Sequence, residues 1–193
     1  MAKVYVFLAN GFEDVEALIP VDVLRRGGVE VVTVSVAEEN LLVESAHGVQ
    51  IVADALFDEC DFADADLLLL PGGMPGATNL YAHEGLRQAL REQQASNKMI
   101  AAICASPGVV LGQMGLLDGV NATCYPGFEQ LMRGARYTGS LCTVDGNITT
   151  GEGPAAAFPF AYALLAQLVS QEVADEVATG MRYVHLMNEK MKE

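Results

Sequence analysis

The sequence predicts an α/β protein: an open, mostly parallel sheet with helices on both faces. Three observations carry this reading. Short runs of β-forming residues alternate with longer stretches of helical periodicity, the order that a parallel sheet with crossover helices produces. Runs such as Val4 to Ala9 and Leu67 to Leu70 are apolar at successive positions, which suits strands covered on both sides. Breaks follow these runs at Gly11, at Gly72-Gly73 and at Cys104, so three loops fall at the carboxyl ends of strands, where open α/β sheets gather function.

Taken in order, Val4 to Ala9 is the first buried strand. Glu13 to Arg26 is a helix with an acidic first turn and a stop at Gly27-Gly28. Pro20 breaks the local rule, because it removes a hydrogen bond to the carbonyl of Glu16, and a bend is expected there. Val29 to Val36 is the second strand, and Leu41 to Val52, interrupted at His47-Gly48, is a hairpin excursion. Leu67 to Leu70, a helix over Glu84 to Ser96 and the strand Met99 to Ile103 follow. After Cys104 come a helix from Pro107 to about Met114, a short strand near Asn121 to Cys124 and a strand pair within Leu141 to Thr150. Two helices end the chain: Pro154 to Val169, disturbed by Pro159, and Gln171 to about Lys190 behind an N-cap at Ser170. No repeat, linker or boundary divides residues 1–193, so one domain is expected.

Composition narrows the function. The 193 residues are 51% hydrophobic and 19% charged, a globular balance, and carry a net charge of −14. That charge opposes phosphate backbones and anionic lipid, and no basic run is longer than Arg25-Arg26, so neither nucleic-acid nor membrane partners are expected. Cys60, Cys104, Cys124 and Cys142 form no C-x-x-C pair and no zinc spacing, which points to free thiols, no metal and a reducing cytoplasm.

Chemistry concentrates at Ala101-Ala102-Ile103-Cys104-Ala105-Ser106-Pro107. A buried strand stops, small residues flank a cysteine, and Pro107 is suited to open a helix; this is the logic of a nucleophile elbow. Ser106 is the expected N-cap, and the helix N-terminus is expected to favour a thiolate at Cys104. Pro71-Gly72-Gly73-Met74-Pro75-Gly76 lets backbone N–H groups approach a ligand, although a glycine-rich strand end is often a plain turn.

Together with Gly11-Phe12-Glu13-Asp14-Val15-Glu16, Leu70-Pro71-Gly72-Gly73 and Gly151-Glu152-Gly153-Pro154, the cysteine segment resembles the ThiJ/PfpI superfamily over almost the whole chain. The resemblance implies a flavodoxin-like sandwich, usually a homodimer. It makes Cys104 the nucleophile, Glu16 the carboxylic acid touching its sulfur, and the N–H groups of Gly73 and Ala105 the oxyanion site. Chemistry supports the pairing independently, since a carboxyl beside a thiolate is driven to keep its proton and donate it as a hydrogen bond.

The departures from the family pattern matter too. Where a relative carries a histidine before proline, this chain has Tyr125-Pro126, and Ala105 follows the cysteine where the protease branch has histidine. A Cys–His pair is therefore not supported. Tyr125 either lines the pocket or fills space. His47 borders the site or sits on an exposed loop, His83 starts a helix, and His185 lies on the terminal helix. The expected activity is that of a cofactor-independent glyoxalase or deglycase acting on a small aldehyde or glycated substrate. The rival is a redox sensor or chaperone built on an oxidisable Cys104, and a cysteine peptidase ranks third.

Overall fold

The computed structural model describes residues 1–37 and 39–190. Strands β1 (Lys3–Leu8), β2 (Glu30–Ser35), β3 (Leu42–Glu44), β4 (Gln50–Val52), β5 (Ala55–Leu56), β6 (Leu67–Leu70), β7 (Met99–Ile103), β8 (Asn121–Ala122), β9 (Arg136–Tyr137), β10 (Cys142–Asp145) and β11 (Ile148–Gly151) form three sheets. The main sheet runs β10-β11-β7-β6-β1-β2-β5. Only β10–β11 is antiparallel within it. The chain moves outward from β1 in one direction and then returns to build the other half from β6, so the order reverses between β1 and β6. A crevice at the carboxyl ends of the strands is expected at that reversal.

The apolar strands are covered on both faces. Val4, Val6, Leu67, Leu69, Ala101 and Ile103 face one core, while Tyr5, Phe7, Leu68, Leu70, Ile100 and Ala102 face the other. Alternate residues of a strand point to opposite faces, so a strand between two helical layers must be apolar throughout. Each buried Leu of β6 contributes about 1.5–3 kcal/mol of transfer free energy. Helices α1 (Asp14–Arg26), α4 (Ala157–Leu168) and α5 (Gln171–Gly180) supply the first layer. Helices α2 (Gly76–Ala82) and α3 (Glu84–Ala95), with a wide π-type helix at Pro107–Gly112, supply the second.

Several expectations are corrected. Helix α1 runs through Pro20 as one element, with the proline buried. The helix after Cys104 is of the wide π type and ends at Gly112, two residues short of Met114. The strand after it stops at Ala122 and pairs with the unforeseen β9. Pro159 disturbs nothing, since it lies in the first turn of α4, where the missing N–H would have no intrahelical partner. The final helix is two: α5 ends at Gly180, and α6 (Tyr183–Lys190) begins after Arg182, whose φ is +65°. Its N-cap is as expected, with Ser170 Oγ accepting from the Val173 N–H at 3.2 Å. Helix α2, opening on the Gly76 that ends the glycine-rich loop, was not anticipated. All four cysteines are free thiols, and among the described residues no helix is long and apolar enough to cross a membrane.

Candidate active site

Cys104 follows the last residue of β7 with a φ of +65°. For a residue with a Cβ this left-handed conformation costs about 1–2 kcal/mol and persists only where neighbours enforce it. Two backbone bonds do so. The Cys104 N–H donates to the Gly151 carbonyl at 2.9 Å, and the Cys104 carbonyl accepts from the Tyr125 N–H at 2.8 Å. Ala102 and Ser106, two residues either side, are wholly buried. The elbow read from the sequence is present, and Ser106 holds the N-cap position, but its side chain makes no capping bond: its backbone is already helical, and its hydroxyl donates to the Pro71 carbonyl. Ser106 instead ties the elbow to the loop after β6.

Glu16 meets Cys104 from the first turn of α1 and has no solvent exposure. Its N–H donates to Glu13 Oε2 at 3.0 Å, so Glu13 caps the helix and fixes the turn. Glu16 Oε2 accepts from the Gly72 N–H at 3.0 Å. Glu16 Oε1 lacks a conventional hydrogen-bond partner among the described residues, and the group that acts on this carboxyl from the open side is the Cys104 thiol. Gly72 is required by space: a Cβ there would come within 2.6 Å of both Cys104 Cβ and Glu16 Oε2. Gly73, at φ +87°, turns its N–H toward the sulfur, where the Ala105 N–H joins it. The two donors assigned to an oxyanion site thus converge on Cys104.

Burial pushes the Glu16 carboxyl up to about 7, opposed by its hydrogen bond with Cys104 and reinforced by the charge of Glu13. Burial also pushes the Cys104 thiol up to about 12, and the charge and hydrogen bond of Glu16 add to it, while the Gly73 and Ala105 N–H groups pull the other way. The thiolate expected from the helix end thus meets an opposing pull from desolvation and from Glu16. Helix-end donors are present, but a desolvated sulfur beside a carboxylate holds its proton, because two adjacent buried anions are unfavourable. The pair is arranged to move a proton between carboxyl and sulfur.

His47 is exposed and does not enter this arrangement. Its Nδ1 lies 2.6 Å from Asp14 Oδ2, and Ser45 Oγ donates to Asp14 Oδ1 at 2.6 Å, so the tip of the β3–β4 hairpin is tied to the first turn of α1. Glu13, Asp14 and His47 have ligand atoms within 4.8 Å of one another, all exposed or half-buried and engaged in these bonds. Tyr125 lines an open cavity of about 250 Å³ with Pro126 and the segment 152–156, whose lining does not include Cys104. His83 caps α3 by accepting from the Leu86 N–H at 3.0 Å, and His185 lies in α6. The sequence reading passed over two members of the site, Glu13 and Gly72. The signal for each was present, in the acidic first turn and in the first glycine of the loop.

Residues 2–167 match the DJ-1/PfpI family. Protein DJ-1 homolog B of Arabidopsis thaliana is 40% identical over 177 residues, covering 91% of this chain and 40% of the relative, so the chain spans about two-fifths of that protein's length. Glutathione-independent glyoxalase DJR-1.2 of Caenorhabditis elegans is 30% identical over 162 residues, 83% of this chain and 84% of the relative. The structure of oxidized Toxoplasma gondii DJ-1 superposes with a TM-score of 0.90 at 37% identity, covering 94% of this chain and 98% of that one. With its elbow cysteine, its buried acid and this agreement over nearly the whole length, the chain belongs to the DJ-1/PfpI family.

Proposed function

We propose that the protein is a cysteine-dependent, cofactor-independent glyoxalase or deglycase acting on α-oxoaldehydes such as methylglyoxal and glyoxal. The observation that carries the reading is the buried Glu16 carboxyl, raised to about 7, with one oxygen held by Gly72 and the other side turned to Cys104. An acid–base group is most effective when its proton affinity lies near the working pH.

The steps balance within these residues. As the Cys104 sulfur adds to the aldehyde carbon, its proton passes to the Glu16 carboxylate, and the Gly73 and Ala105 N–H groups hold the developing alkoxide. Glu16 returns the proton to that oxygen, giving a hemithioacetal. Its carboxylate then takes the proton from the former aldehyde carbon, giving an enediolate, and delivers it to the neighbouring ketone carbon, while the hemithioacetal hydroxyl proton passes to the former ketone oxygen, leaving a thioester of the hydroxy acid. Water cleaves the thioester, releasing lactate from methylglyoxal and restoring the thiol. The substrate is oxidised at one carbon and reduced at the next, so no external electron carrier is required.

The name of the Caenorhabditis elegans relative agrees with this reading. The redox-sensor alternative draws on the same sulfur, and the oxidized state named for the Toxoplasma gondii structure keeps it as the second reading. Four free thiols suit a reducing cytoplasm. The reading includes a homodimer through α1, with Val15 or Ile19 meeting its symmetry mate; Val15 is left 38% exposed and Ile19 half-buried. Arg26, in the last turn of α1, bonds Asp22 of its own helix at 2.9 Å.

The test is turnover of methylglyoxal by wild type, Cys104→Ser and Glu16→Gln. Lactate formation lost in both variants, with circular dichroism unchanged, supports the reading. Activity surviving in Cys104→Ser overturns it.

A further inference from the structure

The two segments that bond the Cys104 backbone also wall a cavity. Gly151, whose carbonyl receives the Cys104 N–H, is followed by Glu152; Tyr125, whose N–H donates to the Cys104 carbonyl, is followed by Pro126. Glu152, Gly153 and Pro154 face Tyr125 and Pro126 across about 250 Å³. The arrangement is fixed rather than incidental. The Glu152 N–H is anchored on the Leu141 carbonyl at 2.9 Å, and the Tyr125 ring lies so close over Gly153 that a Cβ there would sit 3.0 Å from it.

Among the described residues, the Glu152 carboxylate takes part in no ion pair, whereas Asp54, Asp22 and Asp64 each meet an arginine or lysine. Its charge is felt inside the cavity wall: Glu152 and Glu129 both help burial to raise the Cys124 thiol. No lysine or arginine lines the cavity. A small aldehyde needs none of this volume, so the cavity is suited to whatever the reacting carbonyl carries behind it.

We propose that Glu152 is a specificity-determining residue of the Cys104 site, selecting electrophiles whose remote end bears a protonated amine or other cation and disfavouring carboxylate- and phosphate-bearing ones. The inference rests on Cys104 as the nucleophile of the proposed function but not on the identity of the reaction. A cation in the Tyr125–Glu152 cavity meets an unpaired carboxylate on the residue that follows Gly151, whose carbonyl holds the Cys104 N–H at 2.9 Å; an anion there meets like charge in a protein already at −14.

Three methanethiosulfonates of graded charge test this directly: trimethylammonioethyl, methyl and sulfonatoethyl. In each case the Cys104 sulfur attacks the thiosulfonate sulfur, a disulfide forms and methanesulfinate leaves, so one bond-forming step is compared across charges. Rates at Cys104 are read by peptide mass spectrometry in wild type, Glu152→Gln and the remote control Glu172→Gln. The cation-to-anion rate ratio is expected to fall about fivefold in Glu152→Gln, as loss of one nearby charge in partly screened surroundings implies. It should stay unchanged in Glu172→Gln, and the neutral reagent should react equally in all three. An unchanged ratio in Glu152→Gln, or an equal fall in Glu172→Gln, overturns the inference. So does failure of every reagent to reach Cys104. Methylglyoxal turnover is measured in parallel: its absence beside a shifted ratio defeats the proposed reaction alone, and its presence beside an unshifted ratio defeats the charge selection alone.

Discussion

The Gly72 N–H donates to Glu16 Oε2 at 3.0 Å, joining the loop after β6 to the first turn of α1 and leaving the rest of the carboxyl to face Cys104. One hydrogen bond thus orients an acid that is otherwise wholly buried. The properties of Glu16 and Cys104 follow from this placement.

Stability should depend on pH through Glu16. Its carboxyl is raised from 4.5 to about 7 in the folded protein, so between those values the folded state binds the extra proton. Stability is then fullest below 4.5 and falls as pH rises through 7, by about 3 kcal/mol for a shift of this size. Glu16→Gln removes that dependence. Urea unfolding at pH 4.5 and pH 8 should show wild type losing about 3 kcal/mol relative to the variant. Parallel profiles would mean the carboxyl is not raised.

Alkylation and turnover should separate in the same variant. Removing the Glu16 charge takes away one of the causes that raise the Cys104 thiol. Iodoacetamide at pH 8 should therefore label Cys104 faster in Glu16→Gln, by about tenfold for each unit the thiol is lowered. Methylglyoxal turnover should nevertheless be lost, because an amide cannot carry the proton. Slower labelling in the variant would show that Glu16 stabilises the thiolate instead of opposing it.

Gly72→Ala should damage both groups at once. Its methyl would sit 2.6 Å from Cys104 Cβ and from Glu16 Oε2, so one or both must move. A stability loss of about 1–3 kcal/mol is expected from the overpacking, and about 100-fold in turnover from the misplaced pair. Near-native activity would show that the spacing is not critical.

Assembly is tested by light scattering at micromolar concentration. A two-fold dimer should give about twice the 20.5 kDa chain mass, and Val15→Glu, on the exposed face of α1, should shift it toward the monomer. A monomeric wild type would refute the dimer; a dimeric variant would move the contact away from α1.

The sequence by itself determined the layers and the location of the site. Apolar runs such as Val4 to Ala9 and Leu67 to Leu70 leave a strand no solvent face, which forces helices onto both sides of the sheet. Small residues around Cys104 mark a turn that larger ones would block, and these are local constraints written in the order of residues. Only the tertiary structure decided what Cys104 and Glu16 are chemically. A helix N-terminus near a cysteine argues for a thiolate, yet the thiol is raised, because burial and the neighbouring carboxyl are properties of two segments 88 residues apart in sequence being pressed together. The same holds for Ser106, whose hydroxyl found the Pro71 carbonyl instead of the adjoining helix. It holds for the single helix expected to reach Lys190, which breaks at Arg182 with no proline or glycine at that residue to announce it. Local propensity speaks for a residue's own neighbours along the chain, whereas proton affinity and hydrogen-bond choice depend on which distant groups packing brings beside it.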